Sequence, residues 1–146
     1  PELSLDIYGV GGEREKLETI IRENNASDYI HLMGQHDLSE VYQNYEAYIA
    51  GSTSEGFGLT LMEAVGGGLP IIGFDVRYGN PTFIRNGENG YLLKLPEEDK
   101  DRIEALRKGI VDLFKQDLEK CHSVSYLVAK DFLTSNVQEK WREAVC

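Results

Sequence analysis

The feature that most limits this chain is a change of hydrophobic period near residue 94. Before it, short apolar runs alternate with amphipathic stretches. After it, only a helical period remains. Leu3, Leu5 and Ile7 alternate with Ser4 and Asp6, which reads as a strand closed by Gly9-Val10-Gly11-Gly12. From Glu13 the period becomes helical, with Leu17, Ile20 and Ile21 on one face, and Asn24-Asn25-Ala26-Ser27 ends that helix. Residues 29–33 are a second strand, ending at Gly34. Ser39 is expected to cap a short helix carrying Val41 and Tyr42. Residues 47–50 form a short strand ending at Gly51, and a loop leads into a helix over 59–65 that Gly66-Gly67-Gly68 stops. Residues 70–74 are a strand, Pro81 opens a short helix, and residues 90–94 are the last strand. From Asp99 onward the apolar positions Ile103, Leu106, Ile110 and Leu113, then Tyr126 and Leu127, then Val137, Trp141 and Val145 are all helical in period.

Strands alternating with helices give an α/β fold: a Rossmann-like parallel sheet with flanking helices, followed by a helical C-terminal tail. Its five short apolar strands are expected to be buried on both faces. Residues 1–98 read as the α/β core and 99–146 as a helical tail packing on the same domain. The 146 residues suffice for one core without staples. No apolar run approaches the length that spans a bilayer. Cys121 and Cys146 have no metal-type spacing and read as free thiols of a reducing compartment. The net charge of −10 argues against a nucleic-acid surface, so an anionic ligand must be held by local dipoles and a few placed cations. The chain begins at Pro1, already close to a strand, and reads as the continuation of something upstream.

Two glycine-bearing turns compete for a ligand. Gly9-Val10-Gly11-Gly12-Glu13-Arg14 fails a dinucleotide fingerprint at its third glycine, where Arg14 stands, and no acid ends the second strand to meet a ribose. The plain reading, a tight strand-to-helix turn, is favoured. The second turn, Glu55-Gly56-Phe57-Gly58-Leu59-Thr60-Leu61-Met62-Glu63, carries more chemistry. Gly56 and Gly58 leave bare backbone at a helix entrance. The first-turn amides of Leu59 and Thr60 lack intrahelical partners and suit a phosphate, and the helix dipole adds roughly half a positive charge there. Glu63, one turn further, leans back toward the same mouth and suits the paired hydroxyls of a ribose. Glu55 stands before the turn and suits sugar hydroxyls. Taken singly, each glutamate reads as a solvated or dipole-complementing residue; together, at the carboxyl end of a strand, they favour a site.

Glu55 to Glu63 resembles the E-x7-E signature of retaining glycosyltransferases with the GT-B fold. Gly34-Gln35-His36, Gly68-Leu69-Pro70 and Asn89-Gly90-Tyr91-Leu92 are also similar to the C-terminal, donor-binding half of that fold. The resemblance covers most of residues 3–93. Gly73-Phe74-Asp75-Val76-Arg77-Tyr78-Gly79-Asn80 is similar to one branch, which holds accessory-secretion transferases that place N-acetylglucosamine on Ser and Thr of serine-rich adhesins, and α-glucosyltransferases of wall teichoic acid. The run from Asp75 to Asn80 leans to the adhesin group.

The resemblance implies that Glu63 binds the ribose of UDP, that Glu55 positions the donor sugar with the backbone of Phe57 and Gly58, and that Leu59 and Thr60 give amides to the diphosphate. Gly56 opens the same loop, and Gly34 and His36 meet the uracil. His36 reads equally as a loop histidine without a role. His31 and His122 read as structural or solvated, and Tyr42, Tyr45 and Tyr48 as packing. Arg77 and Asn80 could line the cleft, but an exposed loop position is the stronger reading. No Asp-x-Asp pair or metal-type cluster is present, so no metal and no cofactor beyond the substrate UDP-sugar, UDP-N-acetylglucosamine in the adhesin branch, is expected. No enzymic nucleophile is evident, and the family implies attack on the face of the leaving group.

The family also has an Arg and a Lys on an earlier loop that clamp the diphosphate, and an N-terminal domain that binds the acceptor. No matching segments occur in this sequence, so the chain is expected to bind UDP weakly and to be inactive alone. The partners implied are the UDP-sugar, that N-terminal domain, an acceptor protein and a related glycosyltransferase-like subunit; the helical tail reads either as a contact surface for that subunit or, more simply, as packing across the sheet and back toward the N-terminal domain. The implied place is cytoplasmic, at most peripheral to the inner membrane face. Two other classes stay open. One is a nicotinamide-dependent oxidoreductase built on Gly9 to Gly12. The other is a non-catalytic glycosyltransferase-like subunit. The residues do not decide between N-acetylglucosamine and glucose.

Overall fold

The computed structural model describes residues 3–145. It divides into two compact units, one reaching to Leu38 and one starting at Ser39. In the first unit, β1 (Leu5–Tyr8) and β2 (Ile30–Gly34) run parallel, joined by α1 (Arg14–Glu23). Leu5 stands opposite Ile30 and Asp6 opposite His31, and the register slips between Ile7 and Tyr8. Asn24 closes α1 by donating its side-chain amide to Ile20 O at 2.8 Å. Asn25 then turns the chain at φ 51°, a left-handed position that Asn tolerates better than most residues.

The second unit carries a parallel three-stranded sheet in the order β3 (Tyr48–Ala50), β4 (Ile71–Phe74), β5 (Gly90–Leu93). Between the strands lie α2 (Leu59–Gly66) and α3 (Asn80–Phe83). The helical tail is three helices: α4 (Asp99–Leu113), α5 (Leu118–Lys130) and α6 (Thr134–Val145). The α/β class and the parallel pairing are as the sequence predicts. The strands divide into two ladders rather than one run.

Burial differs sharply between the ladders. All four residues of β4 are buried, and Ile71 and Ile72, both fully buried, each contribute roughly 1.5–3 kcal/mol. Ile72, Leu113 and Cys121 form a core cluster, with Leu93, Leu106, Ile110 and Leu118 packed against it. By contrast β1 and β2 are only half-buried, and no residue of α1 is buried. The expectation of strands buried on both faces is therefore wrong for this pair. A single helix within the unit covers one face of two strands at most.

Polar side chains lock the second unit as well. Asn89 is fully buried and donates to Phe83 O at 3.1 Å and to Ser125 Oγ at 3.2 Å, while its own oxygen accepts from the Arg85 amide at 2.7 Å. Ser125 passes the chain of bonds on to Leu69 O at 2.8 Å. This network ties α5 to the segments leading into β4 and β5, and each member is satisfied as burial requires. Val41, not Ser39, stands at the cap of the short 3-10 turn Tyr42–Asn44, and no side chain caps it. Burial, ahead of the nearby Asp117 charge, pushes the Cys121 thiol up, as suits an inert free cysteine. Cys146, the other cysteine read as a free thiol, lies outside the described residues. Among the described residues no helix is long and apolar enough to cross a membrane.

Candidate functional site

The chemistry converges on the junction between β3 and α2. Gly58 caps α2 at φ 86° and ψ 62°, a left-handed conformation that glycine adopts without strain. A Cβ placed there would come within 2.5 Å of Leu61 Cδ1. Both the backbone angle and the packing therefore demand glycine. The Gly58 carbonyl accepts from the amides of Leu61 at 3.1 Å and Met62 at 3.0 Å. The amides of Leu59 and Thr60 then lead the helix with no intrahelical acceptor. No acidic residue stands in the first turn of α2, so no side chain within that turn offsets its positive dipole end. Leu61, Ala64 and Val65 bury the opposite face, which fixes the direction of that end.

The loop before the helix is anchored through Phe57. Its ring, half-exposed, stands edge-on to buried Phe83 at 5.5 Å and to Phe132 at 6.1 Å. Such pairs add about 0.5–1.5 kcal/mol beyond area burial. They hold the backbone of Gly56 and Gly58 on either side.

The two glutamates are held differently. Glu55 is half-buried and accepts from the Gly56 amide at 3.1 Å. Gly79, at φ 70°, packs against its side chain so closely that a Cβ at position 79 would collide with Glu55 Cγ. Glu63 is exposed, and its Oε2 accepts from the Tyr42 hydroxyl at 2.9 Å. Burial first, and then the bond to Glu63, holds the Tyr42 phenol well above the usual tyrosine range. So the structure brings Glu55, Gly56, Phe57, Gly58, Leu59, Thr60 and Glu63 onto one strand-to-helix junction.

Gly34 and His36 belong to the first unit. Gly34 ends β2 at φ 78°. His36 donates from Nε2 to Met33 O at 2.9 Å and stands edge-on to Tyr8 at 5.8 Å. His31 pairs with Asp6 at 2.7 Å across the β1–β2 ladder. His122 donates to Gly68 O at 2.8 Å. Both therefore serve the fold.

The competing turn is built otherwise. A cavity of about 220 Å³ lies beside it, lined by Tyr8, Gly9, Val10, Gly11, Arg14 and Leu17 among others. Glu13 and Glu15 stand at the helix entrance, and the cations beside them are already engaged, Lys16 by Glu13 at 2.8 Å and Arg14 by Glu18 at 2.8 Å. That end of α1 suits a diphosphate poorly.

Sequence reading missed three contributors. Tyr42 was assigned to packing; its hydroxyl also reaches a site carboxylate, and nothing in the local pattern links positions 42 and 63. Gly79 gave no signal beyond a loop glycine. Asn80, read as an exposed loop residue, is fully buried and donates to Phe74 O at 2.7 Å. Its Oδ1 has no partner among the described residues. The pair Asn80-Pro81 at the start of α3 was the available hint, since Asn and Pro both favour helix entrances.

Comparison with known proteins bears on the whole of this arrangement. The family model described as "Glycosyl transferases group 1" matches residues 1–129. A relative in Limosilactobacillus reuteri, the UDP-N-acetylglucosamine–peptide N-acetylglucosaminyltransferase GtfA subunit, is 55% identical over 99% of this chain and 29% of its own length. The crystal structure of the pneumococcal O-GlcNAc transferase GtfA in complex with UDP and GlcNAc superposes with a TM-score of 0.92. It is 49% identical over 99% of this chain and 29% of that one. A crystal structure of a GtfA/B complex superposes with a TM-score of 0.87 at 54% identity, covering 99% of this chain and 29% of that one. The chain thus spans less than a third of the length of the curated relatives it matches.

Proposed function

We propose, from the premise that this chain belongs to the glycosyl transferases group 1 family, that it is the donor-binding part of a retaining glycosyltransferase. The enzyme moves N-acetylglucosamine from UDP to Ser or Thr of serine-rich surface proteins. The observation that carries this reading is the β3–α2 junction. It combines a helix N-terminus with no acid in its first turn and two separately held carboxylates, one before the helix and one a turn inside it. The choice of N-acetylglucosamine and of a peptide acceptor is supported by likeness to the Limosilactobacillus reuteri subunit.

In this reading the amides of Leu59 and Thr60 receive the diphosphate, with the dipole of α2 behind them. Charge that develops on the leaving diphosphate meets donors already in place, so little reorganisation is needed as the bond breaks. Glu63 accepts from the ribose hydroxyls. Glu55 orients the sugar by accepting from its hydroxyls, with the backbone of Gly56, Phe57 and Gly58 alongside. Gly34 and His36 meet the uracil. No metal or cofactor is called for. The acceptor is brought by the remainder of a longer protein, and a related subunit joins it, in line with the GtfA/B complex that the chain resembles. Reliance on a nucleotide sugar places the reaction in the cytoplasm, at most peripheral to the membrane.

UDP and NAD, titrated separately into isotope-labelled chain, test the reading. UDP is expected to shift the amides of residues 56–63 selectively, and Glu63→Ala to abolish those shifts. Shifts at residues 9–12 with NAD, and none with UDP, would overturn it.

A further inference from the structure

Glu63 is exposed, yet one of its two oxygens is already engaged. The Tyr42 hydroxyl donates to Glu63 Oε2 at 2.9 Å, and Tyr42 itself is only 6% exposed. Three contacts hold the tyrosine. It lies in the 3-10 turn Tyr42–Asn44. Its ring stands 6.3 Å from that of Tyr48 on β3. Its Cβ lies so near the end of α2 that a Cβ on Gly67 would approach it to 2.6 Å. The donor is thus rigid while the acceptor's stem is free. An exposed glutamate samples several rotamers, and ordering it on a ligand costs entropy. A buried hydroxyl fixed on one carboxylate oxygen selects the rotamer in advance and leaves the other oxygen to accept elsewhere.

We propose that Tyr42 is a positioning residue: through its hydroxyl on Glu63 Oε2 it presents the Glu63 carboxylate to the paired ribose hydroxyls of a nucleoside diphosphate. Tyr42 thereby sets the preference for nucleotides that carry those hydroxyls. The inference rests on the reading that Glu63 meets ribose. Because burial and the bond to Glu63 raise the phenol's pKa, the hydroxyl stays a donor across the working pH range. Removing it leaves the carboxylate in place but unordered. The loss falls on ligands that use the carboxylate and spares ligands that do not.

The experiment compares UDP with 2′,3′-dideoxy-UDP, which lacks both ribose hydroxyls, on the wild-type chain, Tyr42→Phe and Glu63→Gln. Dissociation constants come from amide-shift titrations, and the same spectra report whether each variant is folded. Wild type is expected to prefer UDP by about tenfold or more, and Glu63→Gln to lose most of that preference. Tyr42→Phe keeps the ring and its packing. It is expected to weaken UDP by about threefold to tenfold and to leave dideoxy-UDP unchanged. Equal weakening of both ligands would assign Tyr42 a merely structural role and overturn the proposal, as would a Tyr42→Phe preference equal to wild type. If Glu63→Gln keeps the full preference, the ribose reading itself fails and takes the proposal with it. Failure at Tyr42 with loss at Glu63 removes only the proposal.

Discussion

Two strand-to-helix turns in this chain are rich in glycine, and only one is built to receive a ligand. The turn after β1 is loosely packed: Cβ atoms on Gly9, Gly11 or Gly12 would meet nothing within 4 Å. The helix it enters buries no residue and carries Glu13 and Glu15 at its mouth. The turn before α2 is packed instead. Gly58 is buried against Leu61, Phe57 is held by Phe83, and the first helical turn has no acid. Glycine permits close approach in both places, but a site needs more than room. It needs donors held in a fixed direction and a local charge of the right sign. At α2, buried Leu61, Ala64 and Val65 supply the direction. At α1 the cations are already paired with neighbouring glutamates and the direction is loosely held.

Substitutions that act on packing should separate the turns most strongly. Leu61→Ala, at a position 1% exposed, is expected to cost about 2–5 kcal/mol in urea unfolding. Leu17→Ala, at a half-buried position of the largely exposed α1, should cost about 1 kcal/mol. Equal losses would break the contrast. Next in size is the glycine itself. Gly58→Ala forces a left-handed alanine whose Cβ meets Leu61 at 2.5 Å, an expected loss of about 2–4 kcal/mol.

A charge tests the sign argument more finely. Thr60→Asp places an acid in the first turn of α2. It should stabilise the fold by about 0.5 kcal/mol, while UDP affinity falls on the order of tenfold because like charges meet. Stability and binding moving in opposite directions is the signature to seek, in thermal melts beside amide-shift titrations. The smallest effect belongs to the open turn. Gly11→Ala should change stability by less than about 0.5 kcal/mol and leave UDP binding untouched. A marked loss of UDP binding there would mean that the first turn takes part after all.

Much of this arrangement was legible in the order of residues. The alternation of Leu5, Ile7 with Ser4, Asp6, the helical run after Asp99 and the glycines at positions 56 and 58 are local patterns, and local patterns report local geometry. The same holds for the spacing of Glu55 and Glu63, because a helix converts sequence separation directly into direction. Expectations failed where burial or a distant partner decided the outcome. The β1–β2 pair carries Asp6 and His31 between its apolar residues and is half-exposed, where the continuous apolar run of β4 is buried throughout; the alternation itself marked a strand with one covered face.

The sequence alone therefore determined the α/β order, the helix entrance at Gly58 and the family likeness of the carboxylate pair, all of which depend on neighbours within about ten residues. Only the tertiary structure decided that Tyr42 reaches Glu63, that Gly79 lies against Glu55, and that Asn80 is sealed beneath Phe74. The first two join positions 21 and 24 residues apart, and the third, though only six residues apart, depends like them on how β3, β4 and their loops pack. A pattern with a period of two or of three to four residues carries no record of such packing.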